Sequence, residues 1–152
     1  MDMAAALWGG IAGSIAMLMV YGGFLGLRLT RLDLLRLEGN LLTAERSSMV
    51  YLYGLVLQLV LGALAGLAYR WVFLQLDSAT FVGWGALIGV VHGALAALLL
   101  PVAVRGDRSL RDAALPPVGF AGTAYGLATP LALVAAHAVF GIWVGLMLLP
   151  AP

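Results

Sequence analysis

The chain predicts an all-α, polytopic membrane protein, a bundle of four transmembrane helices, and three observations predict it. Four long stretches, Met3–Leu27, Ser47–Tyr69, Ser78–Val104 and Ala113–Pro152, contain no Asp, Glu, Lys or Arg. Every charged residue except Asp2 falls in the three gaps between them. With 63% of its 152 residues hydrophobic and 10% charged, the composition leaves no material for a soluble domain. About 20 apolar residues cross the hydrocarbon core as a helix, and in lipid only helices and closed barrels satisfy every backbone polar group. The stretches are apolar all round rather than striped, the pattern of helices in contact with lipid.

The first span is expected at about residues 4–27. Asp2 stands where a signal peptide carries positive charge, and the apolar run is as long as a full span, so the segment reads as a retained helix. The connection 28–48 contains LTRLDLLRLEGNLLTAER, read as a short interfacial helix ending at Gly39, with Asp33 and Arg36 able to pair at i, i+3. Its leucines fall on two sides of the helix, suited to a wedge between lipid and the bundle or to a neighbouring protein. The second and third spans follow at about 49–74 and 81–104. The last stretch would make a helix of about 60 Å, twice the hydrocarbon thickness. Pro116 and Pro117 are expected to precede one tilted span over 118–149, kinked at Pro130; a short interfacial or re-entrant segment before that proline is the alternative.

Arginine placement orients the chain. Arg28, Arg31, Arg36 and Arg46 follow the first span and Arg105, Arg108 and Arg111 the third, whereas the middle connection has only Arg70. By the positive-inside rule, connections 28–48 and 105–117 face the cytoplasm and both termini lie outside. Trp8, Trp71 and Trp84 then read as anchors at the outer interface.

The second and fourth spans repeat one pattern: Gln58, Gly62, Gly66, Leu67 and His137, Gly141, Gly145, Leu146. The simplest account is a duplicated helical hairpin. Gly9 and Gly13 with Gly22 and Gly26 in the first span, and Gly85, Gly89 and Gly93 in the third, match this more loosely. Glycines four apart share a helix face and let backbones approach closely, so a compact left-handed bundle packed through glycine faces is expected. Gln58, His92 and His137 lie on or beside those faces and should point inward.

Chemistry-bearing residues are few. Cysteine is absent, which excludes disulfides, thiolate ligands and thiol catalysis, and a net charge of +1 without a basic run gives nucleic acid no electrostatic purchase. His92 and His137 could be packing residues bonded to Gln58 or a carbonyl, ligands to haem b or a chlorophyll-type pigment, or part of a proton or solute path. Ser14 could meet a histidine as a dyad, though no carboxylate is expected in the membrane to orient the base. Asp2 and Asp77 lie outside the spans, so any proton coupling would rest on the histidines. No catalytic constellation emerges, and a non-enzymatic protein is expected.

The order of a Gly/Met-rich first span, the connection LDLLRLEGNLL, Gln58-x-x-x-Gly62-x-x-x-Gly66-Leu67-x-Tyr69 and a final His137-x-x-x-Gly141 helix resembles an uncharacterised bacterial family of small four-helix membrane proteins, known only as a domain of unknown function. Asp33, Gly39, Gly62, Gly66, Tyr69, His137 and Gly141 carry the resemblance, while Gln58 and Glu38 depart from the family's histidine and apolar residue. The resemblance implies a bacterial plasma (inner) membrane location and no activity. The leading expectation is an accessory or structural subunit, lodged in the lipid bilayer beside other membrane-protein subunits or itself. It would dock through Gly85, Gly89 and Gly93 or through Gly9 and Gly13. A haem- or pigment-binding subunit using His92 and His137, and a small oligomeric transporter or channel, are the alternatives.

Overall fold

A computed structural model describes residues 2–43, 47–77, 80–105 and 118–149, and these form helices joined by short connections, with no strand among them. Arg46, Arg108, Arg111 and the Pro116-Pro117 pair lie outside the described residues. The elements are α1 (Met3–Gly26), α2 (Leu34–Leu42), α3 (Met49–Phe73), α4 (Phe81–Arg105), a short 3-10 segment (Phe120–Tyr125) and α5 (Thr129–Met147). Of these, α1, α3, α4 and α5 are long and apolar enough to cross a membrane. The chain is therefore a multi-pass integral membrane protein whose outward leucines and valines meet the lipid bilayer.

Glycine faces decide how the spans pack. Gly10 of α1 lies against Gly62 of α3, and Gly66 against the carbonyl of Ala6, so close that a Cβ on either glycine would overlap the opposing backbone. Gly85 and Gly141 face each other in the same way between α4 and α5. Gly89 abuts the His137 carbonyl, Gly93 comes within 2.7 Å of the Val134 Cα, and Gly145 within 2.6 Å of the Phe81 carbonyl, measured from the Cβ each lacks. Between α1 and α5, Gly9 meets Met147 and Gly13 meets Phe140 at 3.1 and 2.9 Å on the same measure. Every glycine proposed for a partner face is thus covered within the chain. The glycines with nothing within 4 Å are Gly22, Gly23, Gly26 and Gly83.

The spans run in the order α3–α1–α5–α4, and α3 and α4 hardly approach through their backbones. Two equivalent hairpins about an axis would pair α3 with α4 as closely as α1 with α5. This asymmetry leaves a gap along one side. At one end it is closed by aromatic contacts: Phe73 stacks on Phe81 at 4.9 Å and 11°, and Tyr69 meets Phe140 edge-on at 5.4 Å. Trp8, Trp71 and Trp84 are exposed at this end, joined by Trp143.

At the other end α2 folds back along the first turns of α3. Asp33 caps it by accepting the Arg36 N–H at 3.0 Å, instead of pairing with the guanidinium. Gly39 does not end this helix, which runs on to Leu42. It is the point where the helix touches α3: a side chain there would overlap the Val50 carbonyl, and one at Gly54 the Leu35 carbonyl.

The segment before α5 departs from the single kinked span expected over 118–149. Gly119, Gly122 and Gly126 all adopt positive φ, with Ala121 at 52°, so the backbone cannot run as an α-helix there. Pro130 falls in the first turn of α5, where its missing N–H costs nothing, and starts the helix rather than bending it. The segment docks on the loop after α1. The Arg31 N–H donates to the Tyr125 carbonyl at 2.7 Å, the Arg31 guanidinium to the Ala124 carbonyl at 3.0 Å, and Thr30 bonds Thr129 at 2.8 Å with both hydroxyls buried. Tyr21 adds a bond from its hydroxyl to the Leu32 carbonyl at 3.1 Å. Buried bonds of this kind contribute about 1 kcal/mol each, and losing one partner leaves the other to bear its desolvation.

Candidate functional site

The gap between α3 and α4 holds a cavity of about 390 Å³. Most of its wall is aliphatic, from Met17 of α1, Leu34, Leu37 and Leu41 of α2, and Leu99 and Leu100 of α4. Four polar side chains converge on it: Glu38, Gln58, His92 and His137. An apolar cavity with a few convergent polar groups is the usual form of a small-molecule site. Leu61 of α3 and Leu99 of α4, which line it, are 49% and 58% exposed.

Each polar group is placed by a feature already described. The close seating of α2 on α3 through Gly39 and Gly54 brings Glu38 alongside Gln58. With its NH2 turned to the carboxyl, the Gln58 amide donates to the two Glu38 oxygens at 2.5 and 3.1 Å. Burial pushes the Glu38 carboxyl from its ordinary 4.5 up to about 8, because the charged form loses its solvation. Among the described residues no arginine lines the cavity, and Arg28, Arg31, Arg36 and Arg105 are all exposed. None of the four spans carries a carboxylate; Glu38 reaches the cavity from the connection, on α2.

His137 sits on the α5 face that packs on Gly89 and Gly93, and its Nδ1–H donates to the Leu133 carbonyl at 2.8 Å. That bond fixes the tautomer and leaves Nε2 as an acceptor. The ring of His92 lies 4.6 Å from that of His137, edge-on at 65°, and its Nδ1 is 3.5 Å from the Tyr69 hydroxyl. Two imidazoles in direct contact leave no gap for a macrocycle between them, so they do not stand as an axial pair. Ser14 is fully buried and donates to the Gln58 carbonyl at 3.3 Å, a contact of the α1–α3 interface rather than half of a dyad with histidine. Among the described residues no buried side-chain polar atom lacks a partner.

Fold and site together define a class: a four-span integral membrane protein with a largely apolar cavity lined by four polar side chains. Compared with protein-family models, with curated proteins and with solved structures, the chain matches none, so its resemblance to the four-helix family rests on the quoted motifs alone.

Proposed function

We propose that this protein binds a small membrane-dissolved molecule in the cavity, taking it from the bilayer between α3 and α4. The observation that carries this reading is the cavity itself: aliphatic walls for an apolar body, and Glu38, Gln58, His92 and His137 for one polar end. Filling the cavity tests it. Ala96 lines the wall on α4, and Ala96→Trp places an indole in that space. Wild-type protein extracted mildly with its lipids is expected to carry about one such molecule per chain by mass spectrometry, and the variant to have lost it. Equal small-molecule content in the two would reject the proposal.

This reading replaces docking through Gly85, Gly89 and Gly93 or Gly9 and Gly13, because those faces are filled by the chain's own helices. It supports the transporter alternative only as far as a binding site goes, and it makes no use of haem or pigment.

The same proposal orients the site. Arg28, Arg31, Arg36 and Arg105 share the end at which α2 packs, while Arg70 lies at the tryptophan-bearing end. The positive-inside rule then puts Glu38 on the cytoplasmic side of a bacterial plasma membrane and both termini outside. The cysteine-free chain makes the check direct. In intact cells, an impermeant maleimide is expected to label Asp2→Cys and not Arg28→Cys. The opposite pattern would invert the topology.

A further inference from the structure

Among the described residues Glu38 is the one acid that lines the cavity, and none that lines it is a cation. Gln58 is its hydrogen-bond partner among the described residues, and an amide can satisfy a carboxyl without neutralising a carboxylate. Elsewhere the wall is uncharged: α1 contributes Met17, α3 contributes Gln58, Leu61, Gly62 and Ala65, and α4 and α5 bring His92 and His137 as their only titratable groups. The Arg36 of its own helix is on the exposed side. Aromatic surface from Phe140 borders the same space. A carboxyl in such surroundings is neutral only when it carries a proton or faces a cation.

We infer that the cavity is a site for a lipophilic monovalent cation, an apolar body bearing one positive charge, which competes with a proton for Glu38. This inference rests on the cavity reading above and names its ligand class. As the cation enters, the Glu38 O–H bond breaks and the proton leaves for the water at the arginine-bearing end. The carboxylate left behind faces the cation, so the cavity has the same net charge before and after. The Phe140 ring and the imidazole faces add cation–π contact, a second preference for positive charge. An anionic head group is disfavoured, since it would meet a carboxylate with no arginine among the described lining residues to receive it.

Two probes of one shape separate the outcomes: methyltriphenylphosphonium, and 1,1,1-triphenylethane, its uncharged carbon counterpart. Both are titrated into full-length protein in lipid nanodiscs, with a pH-indicator dye in a weak buffer. Near pH 7 the cation is expected to release close to one proton per site, and its affinity to rise about fivefold from pH 7 to pH 8 and about tenfold in all before levelling off as Glu38 ionises unaided. Glu38→Gln is expected to lose at least about tenfold in cation affinity, together with the proton release and the pH dependence, while still binding triphenylethane, which shows that the variant is folded. If triphenylethane binds and the cation binds no better, or does so without proton release, the cation inference is overturned and the cavity reading stands. If neither probe binds wild-type protein, both are overturned.

Discussion

Gly141→Leu is expected to prevent α4 and α5 from pairing, so that the chain inserts but does not reach its compact form. Gly85 and Gly141 meet backbone to backbone, and any Cβ on Gly141 would overlap the Gly85 carbonyl. Overpacking in a core costs about 1–3 kcal/mol when neighbouring side chains can shift. Here no side chain stands between the helices, so the pair itself must separate, and Gly89 and Gly145 would lose their contacts too. We expect a loss above about 3 kcal/mol, read as early unfolding in a detergent titration and a broadened size-exclusion peak. Gly89→Leu should behave alike, since a Cβ there overlaps the His137 carbonyl; it would damage the protein's own fold rather than free it from a partner. Gly83→Leu, with nothing within 4 Å, is the control and should be neutral. A Gly141→Leu protein that is monodisperse and unfolds like wild type would refute this account of the packing.

That contrast also shows how much of the fold could be read from sequence. The four spans were legible because membrane insertion depends on composition and length, both of which are local. The spaced glycines were legible as contact faces because a period of four keeps them on one side of a helix. Which helix each face would meet was not, since Gly9 and Gly13 fit a partner's helix as well as they fit α5. Likewise Pro130 marked a boundary without saying whether the helix bends or begins there. The three positive-φ glycines of the preceding segment decide that, and glycine in an apolar stretch looks the same whether it packs or turns.

Three of the four polar residues of the site were visible. His92, His137 and Gln58 stood out as polar residues within spans, and all three line the cavity. Glu38 did not, because it sits between Arg36 and Asn40 in a connection where a charge needs no explanation. The signal that could have found it was Gly54, four residues before Gln58, which extends the series Gly54, Gln58, Gly62, Gly66 toward the arginine-rich connection. A glycine face continued that far calls for something packed against it, and α2 is the nearest candidate in sequence. Gly39 beside Glu38 is its counterpart. The departures from the resembled pattern at Gln58 and Glu38 proved to be one contact, which no reading of single positions could reveal.

Glu38→Gln should remove the part of this protein's pH-dependent stability that Glu38 contributes. The folded state holds the carboxyl at about 8, whereas a chain with α2 released to water titrates near 4.5. Below about pH 4.5 both states carry the proton, and the site adds no pH dependence. Between about 4.5 and 8 the released state has lost the proton while the folded state keeps it, so stability falls as pH rises. Above about 8 both are ionised and the full cost of a buried charge remains, on the order of 3 kcal/mol once partial solvent access is allowed for. Glutamine keeps the shape and the bond to Gln58 and cannot ionise. The variant is therefore expected to match wild type near pH 4.5 and to exceed it increasingly toward pH 8.5, by several degrees in thermal unfolding. Parallel curves for the two proteins across that range would mean that Glu38 is solvated, and α2 would then not be seated on α3 as Gly39 and Gly54 place it. A lipophilic cation should narrow the gap from the other side, stabilising wild-type protein most where the carboxylate is most costly.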